Sequence, residues 1–211
     1  MEAAMISRRE LLTSRVGVPA GRGPAAAPRP GPRAGYFPNS LLKTHEGRSV
    51  RFYDDLIRGK IVAINMMYAD CTGICPAMTS NLVKVQQALG DRVGRDIFMY
   101  SITLTPAVDT PEVLKTYAEH HGVGPGWQFL TGRPADIEVI RRKLGFVDPD
   151  PVLDRDKSSH TGMVRVGNET FDQWAGCAAL GPWEQIVESI LWMDIRPPSE
   201  PTRPAPRGTG A

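Results

Sequence analysis

The sequence predicts an α/β fold, a mixed central sheet with helices on both faces. Two observations carry this reading. Short, nearly continuous apolar runs such as 61–68 and 97–104 alternate with segments of helical period. Helix start and stop signals then fall at regular intervals between the runs, as in Asp109-Thr110-Pro111 and at Gly145.

Residues 48–53 (Ser-Val-Arg-Phe-Tyr-Asp) alternate and read as a short strand. The run from Ile61 to Tyr68 follows Gly59-Lys60 and reads as a strand buried on both faces. Between Cys75 and Leu89, the residues Met78, Leu82, Val85 and Leu89 lie near helical spacing, and 97–104 is another buried strand. A capping residue and then proline in the first turn open a helix at Asp109-Thr110-Pro111, which runs to about His121 and stops at Gly122. Trp127 to Leu130 is a short strand, and Pro134 to Leu144 is a helix closed by Gly145. Gly162 to Val166 and Thr170 to Trp174 alternate around Gly167-Asn168, which reads as a hairpin and makes the sheet mixed. Pro182 to Met193 is a last amphipathic helix. This order is that of a thioredoxin-like domain with an N-terminal extension.

The 211 residues divide by proline and charge. Residues 1–35 and 196–211 carry five prolines each, and net charges of +4 and +2. The intervening 160 residues are mildly acidic at −4, which argues against nucleic acid as a partner. We expect 1–35 to be a leader and linker, 36–195 the folded domain, and 196–211 a Pro-rich disordered tail. Ser7-Arg8-Arg9-Glu10-Leu11-Leu12 resembles a twin-arginine export motif in degenerate form, since Thr13, Ser14 and Arg15 interrupt the apolar stretch that should follow. The same leader is Arg-rich and poor in acids, as a mitochondrial presequence would be. The twin-arginine feature suggests export, toward the periplasm. No apolar run approaches the ~18–20 residues of a membrane span, and there is no internal repeat.

Chemistry concentrates at Cys71-Thr72-Gly73-Ile74-Cys75-Pro76, between a buried strand and a helix. Carboxyl ends of strands are where α/β folds place reactive groups, and a helix N-terminus favours a thiolate. If the first turn is helical, the four-residue spacing puts both sulfurs on one helical face. Two soft thiolates form a chelating pair suited to Cu(I) or zinc. The alternative is a pair of structural core cysteines.

Four histidines are candidates for a third ligand. His120 and His121 read as an exposed helix end, and His45 as a surface loop residue. His160 ends a polar loop and precedes a strand at a junction that faces the cysteines in thioredoxin-like folds; the residues alone leave it open whether it is a ligand. Cys177, read as following the last strand, is expected to be a small core residue. Met66, Met67, Met78 and Met163 are expected to pack, with Met78 or Met163 the alternative of a weak Cu(I) contact. Core packing is also the expectation for Trp127, Trp174, Trp183 and Trp192.

From about Phe37 to Met193 the chain resembles the Sco/SenC family of copper-binding, thioredoxin-like proteins. The resemblance rests on Arg58-Gly59-Lys60, on Cys71 with Cys75-Pro76, on Ser101-Ile102 through Pro106 and Asp109-Thr110-Pro111, on Leu130-Thr131-Gly132, and on His160-Thr161. It implies a copper ion held by Cys71, Cys75 and His160, and delivery of that copper to a respiratory haem–copper oxidase subunit or another copper chaperone. Thr72, Gly73, Thr105 and Ser159 depart from the family pattern, which bears on the tuning of copper affinity more than on the ligand set. A metallochaperone is thus expected rather than an enzyme. The alternative is a thiol–disulfide oxidoreductase in which Cys71 and Cys75 form the catalytic redox pair that reduces partner cysteines. A thiol peroxidase is a third reading that the fold allows and the resemblance does not favour.

Overall fold

In the computed structural model, residues 31–156 and 162–195 are described. They build a seven-stranded sheet in the order β2-β1-β5-β4-β3-β6-β7. The strands are β1 (Leu41–Thr44), β2 (Ser49–Arg51), β3 (Ile61–Met67), β4 (Ile97–Thr103), β5 (Trp127–Gly132), β6 (Met163–Asn168) and β7 (Gln173–Ala178). The helices are α1 (Ile74–Leu89), α2 (Pro111–His120), α3 (Pro134–Leu144) and α4 (Trp183–Trp192). Strands β3, β4 and β5 are parallel, and antiparallel β1 and β6 flank them. The fold is the thioredoxin-like α/β arrangement that the sequence predicts.

Every residue of β3 is buried because both faces of the sheet are covered. Alternation along the strand divides its side chains between two cores. Ala63 and Met67 join Met78, Leu82, Leu114, Phe129 and Ile190 beneath α1, α2 and α4. Val62, Ile64 and Met66 join Leu42, Tyr100, Ile137 and Ile140 beneath α3. Buried polar groups pair across strands. Trp127 Nε1 donates to Ser101 Oγ at 2.9 Å, and Ser101 Oγ donates to Asn65 Oδ1 at 2.7 Å.

Four expectations are corrected. The first strand is a hairpin, β1 with β2, paired from Leu41↔Arg51 to Lys43↔Ser49. It stops at Arg51 because Phe52 and Tyr53 are both buried, which an alternating strand does not allow. The chain makes a π-helical turn over Phe52–Ile57 instead, which also buries Leu56 and Ile57. The closing hairpin turns at Glu169–Asp172 rather than at Gly167-Asn168, which lie within β6 and pair with Trp174 and Gln173. Gly167 answers to packing: a Cβ there would meet the Trp174 ring at 2.3 Å. Cys177 lies within β7, opposite Val164, and packs against the first core. Of the tryptophans, Trp127 is buried and Trp174 and Trp183 are partly so, but Trp192 is 69% exposed at the end of α4.

The turn that closes the hairpin also fastens the N-terminal segment. The Glu169 carboxylate is buried and accepts from Tyr53 Oη (2.7 Å), Gly59 N (2.9 Å) and Arg33 N (3.2 Å). Burial, and then the bond to Glu169, push the Tyr53 phenol well above its ordinary range, so it stays a donor. Removing the carboxylate orphans these donors. Glu169→Ala should therefore cost about 2–4 kcal/mol, read as a lower urea midpoint at unchanged slope. An unchanged midpoint would show that Glu169 does not hold these elements together.

Candidate functional site

The cysteine pair sits where β3 hands the chain to α1. Helix α1 begins at Ile74 with Gly73 as its N-cap, so Cys75 is in the first turn and Cys71 precedes the helix. The sequence expectation of two sulfurs on one helical face is therefore corrected: the loop brings Cys71 back onto the helix N-terminus. Both cysteines are unbridged and buried, Cys71 at 7% exposure and Cys75 at 0%, within the core formed by β3, α1 and α2.

Burial pushes the Cys71 thiol up. The hydrogen bonds with the Cys75 thiol, the Tyr68 hydroxyl and the backbone N–H groups of Cys75 and Gly73 outweigh it, and the thiol lies below its ordinary value. Tyr68 responds in the opposite sense. Its bond to Cys71, then burial and the charge of both cysteines, raise it to about 12. It remains protonated and donates to the sulfur. A second phenol, Tyr117 on α2, is also raised to about 12, by burial first and then by the cysteines' charge. Its hydroxyl meets Thr79 Oγ1 at 2.9 Å, which ties α2 to α1 one turn beyond Cys75.

A buried carboxylate holds the loop in place. Asp109 is 1% exposed and accepts from Ala69 N (3.2 Å), from Thr105 Oγ1 (3.0 Å) and from Thr103 Oγ1. The loop two residues before Cys71 is thereby fixed to the end of β4. Thr105, a departure from the family pattern, is here a partner of Asp109. The next residue, Thr110, is the N-cap of α2 and accepts from Val113 N, with Pro111 in the first turn. Tyr68 and Asp109 were not singled out by sequence reasoning. Tyr68 ends the apolar run three residues before Cys71, which was a usable signal; Asp109 reads locally as a helix start.

The histidines separate. His45 is half-buried rather than a surface residue. Its Nδ1 accepts from Phe129 N at 3.0 Å, and burial lowers its pKa. His121 packs on Tyr117, with ring centroids 4.3 Å apart. His120 lines a hollow of about 580 Å³ with Ala69, Asp70, Asp109 and Tyr117, beside the cysteine loop. His160 lies outside the described residues. Among the described residues no three His, Cys, Asp or Glu side chains converge in a metal-binding group. Met78 is fully buried in the core of the cysteines, where Asn65 Nδ2 donates to its sulfur at 3.8 Å. Met163 packs with the second core instead.

The sheet is thioredoxin-like, and two thiols follow the carboxyl end of one of its parallel strands. The SCO1/SenC family model matches residues 39–171, and the chain belongs to that family. A SCO2-like protein of Rickettsia felis is 28% identical over 118 residues, which is 54% of this chain and 57% of its own length. The chain thus spans little more than half the length of the curated relatives it matches. Among solved structures, yeast Sco1 with copper bound gives a TM-score of 0.56 at 22% identity, covering 72% of this chain and 87% of that one. BsSco, a member of the Sco family of cytochrome c oxidase assembly proteins in which a disulfide switch has been identified, gives 0.58 at 19%, covering 74% and 92%. At these identities the likeness shows the fold. Copper is bound by members of this family.

The lowered Cys71 thiol carries a pH prediction. A depressed pKa means that thiolate is present below the pH at which a free cysteine ionises. Alkylation of Cys71, followed by peptide mass, should therefore reach half its maximal rate below that pH, and Tyr68→Phe should move the midpoint upward. A midpoint at or above that of free cysteine would contradict the hydrogen-bond account.

Proposed function

We propose that the protein binds copper through Cys71, Cys75 and His160 and passes it to a copper-accepting subunit of a respiratory oxidase or to another copper chaperone. The observation that carries this reading is the pair of buried thiols at the β3–α1 junction, with the thiol of Cys71 lowered by converging donors. Membership of a family with copper-bound members supports the metal, and the leader motif at Arg8-Arg9 supports an exported location.

The donor set fits Cu(I). Two thiolates supply soft, anionic ligands and imidazole a neutral one. With Cu(I) the centre carries a net charge of −1, which the N-terminal end of α1 and the Tyr68 hydroxyl offset. Both thiols lose protons on binding, so affinity rises with pH until both are thiolates. The preorganised loop limits the ordering needed on loading. Cys71 is the more exposed of the two residues and directly follows Ala69 and Asp70, which line the open hollow. An acceptor thiolate would exchange there first, so that copper moves between ligands without release to water.

A second reading is favoured by the contact between the two thiols. The same pair could reduce an acceptor disulfide: the Cys71 thiolate attacks one sulfur of the acceptor, Cys75 resolves the mixed disulfide, and the acceptor leaves as a dithiol while Cys71–Cys75 becomes the disulfide. The disulfide switch described for BsSco is consistent with such a pair.

An anaerobic Cu(I) titration in competition with a chromogenic chelator tests the first reading. The reduced chain should take up one tight equivalent. Cys71→Ser and His160→Ala should each weaken it by at least the ~10–100-fold that loss of an outer-shell partner costs. Poor binding, or an unchanged affinity in His160→Ala, would overturn the copper reading in this form and leave the dithiol couple as the function to pursue.

A further inference from the structure

The sheet face away from the cysteines carries a second polar feature. A cavity of about 150 Å³ lies between the N-terminal segment, the end of α3 and strands β6 and β7. Its lining includes Arg33, Lys143 and Arg165 together with the rings of Tyr36, Phe37 and Trp174. Three cations line it and no carboxylate does. Among the described residues only Arg33 has an acidic side-chain partner, Asp172.

The cations are held close together. Arg33 and Lys143 both lie against the Tyr36 ring, 4.9 and 4.6 Å from its centroid. The ring attracts each of them, but the two positive charges repel one another. Arg165 donates from Nε to the Leu144 carbonyl at 2.8 Å, and neither of its Nη atoms has an acceptor among the described residues. Its guanidinium occupies a slot that glycine leaves open. Gly145 sits at φ +81°, and a Cβ there would come within 2.4 Å of Arg165 Nη2. The α3 C-terminus presents about half a negative charge, less than the two full charges of Lys143 and Arg165.

The Trp174 ring forms part of the wall; its indole N–H has no solvent-accessible surface and is not open to the cavity. The cavity volume of about 150 Å³ leaves room for a small polyatomic anion.

We propose that this cavity binds a small tetrahedral oxyanion of the phosphate or sulfate class, held by Arg165 and Lys143. The aromatic walls lower the local dielectric and strengthen those charge-assisted bonds. Anion binding here would clamp the N-terminal segment onto α3 and the closing hairpin, on the far side of the sheet from the thiols.

Calorimetric titration of the full chain with inorganic phosphate, at constant ionic strength and with chloride as the control, tests this. One saturable site is expected, weakened about tenfold by Arg165→Gln and by Lys143→Gln. Lys143 is exposed, so its variant should fold as the parent does and decides the matter if Arg165→Gln loses the α3 cap and unfolds. Heats equal to those of chloride, or a Lys143→Gln affinity equal to that of the parent chain, would overturn the proposal.

Discussion

Asp109 holds the loop that carries the cysteines. Its carboxylate is buried at the carboxyl end of the parallel strands, where it gathers the Ala69 N–H from the end of β3 and two hydroxyls from the end of β4. Hydrogen bonds to a buried charge contribute about 1.5–3 kcal/mol each, and losing the charge would leave the Ala69 N–H without that partner. The loop therefore leaves β3 in one direction, and Cys71 reaches the first turn of α1. The thiol–thiol contact, the Tyr68 hydrogen bond and the lowered Cys71 thiol depend on that placement. So does the division of cores: α1 can lie along the sheet, with Met78 and Leu82 inward, because its start is fixed.

Much of this architecture is legible in the sequence. Strand β3 and helix α3 declare themselves, the first by a seven-residue run with no outward position, the second by Pro134 and Gly145 at its ends. Helix α2 is equally plain from Thr110-Pro111. Short elements are not. Strand β1 has four residues, too few to establish an alternation. Phe52–Ile57 hides a helical turn behind an alternating stretch, because burial of two adjacent aromatics overrides the strand pattern. The closing hairpin misleads for a different reason: Gly167-Asn168 has turn chemistry, but Gly167 makes room for Trp174, and Asn168 serves the C-terminal end of α4 by donating to the Met193 carbonyl.

The site is legible in its residue types and less so in its geometry. The spacing of Cys71 and Cys75 and their position between strand and helix identify a thiol pair. Where α1 begins is set by Gly73, not by the cysteines, so the shared helical face expected from the spacing does not form. Asp109 stands forty positions from its backbone partner Ala69, and no local pattern announces a contact of that range. His45 shows the same limit: it looks like a loop residue, yet it is engaged by the backbone of β5.

The central claim is that Cys71, Cys75 and His160 together form a copper site. X-ray absorption at the copper K-edge of the Cu(I)-loaded chain tests it most directly, because it counts ligand types without reference to affinity or partner. The account predicts a first shell of two sulfurs and one imidazole nitrogen, with the nitrogen scattering lost in His160→Ala. A shell of sulfur alone, or an imidazole signal that survives that substitution, would contradict it.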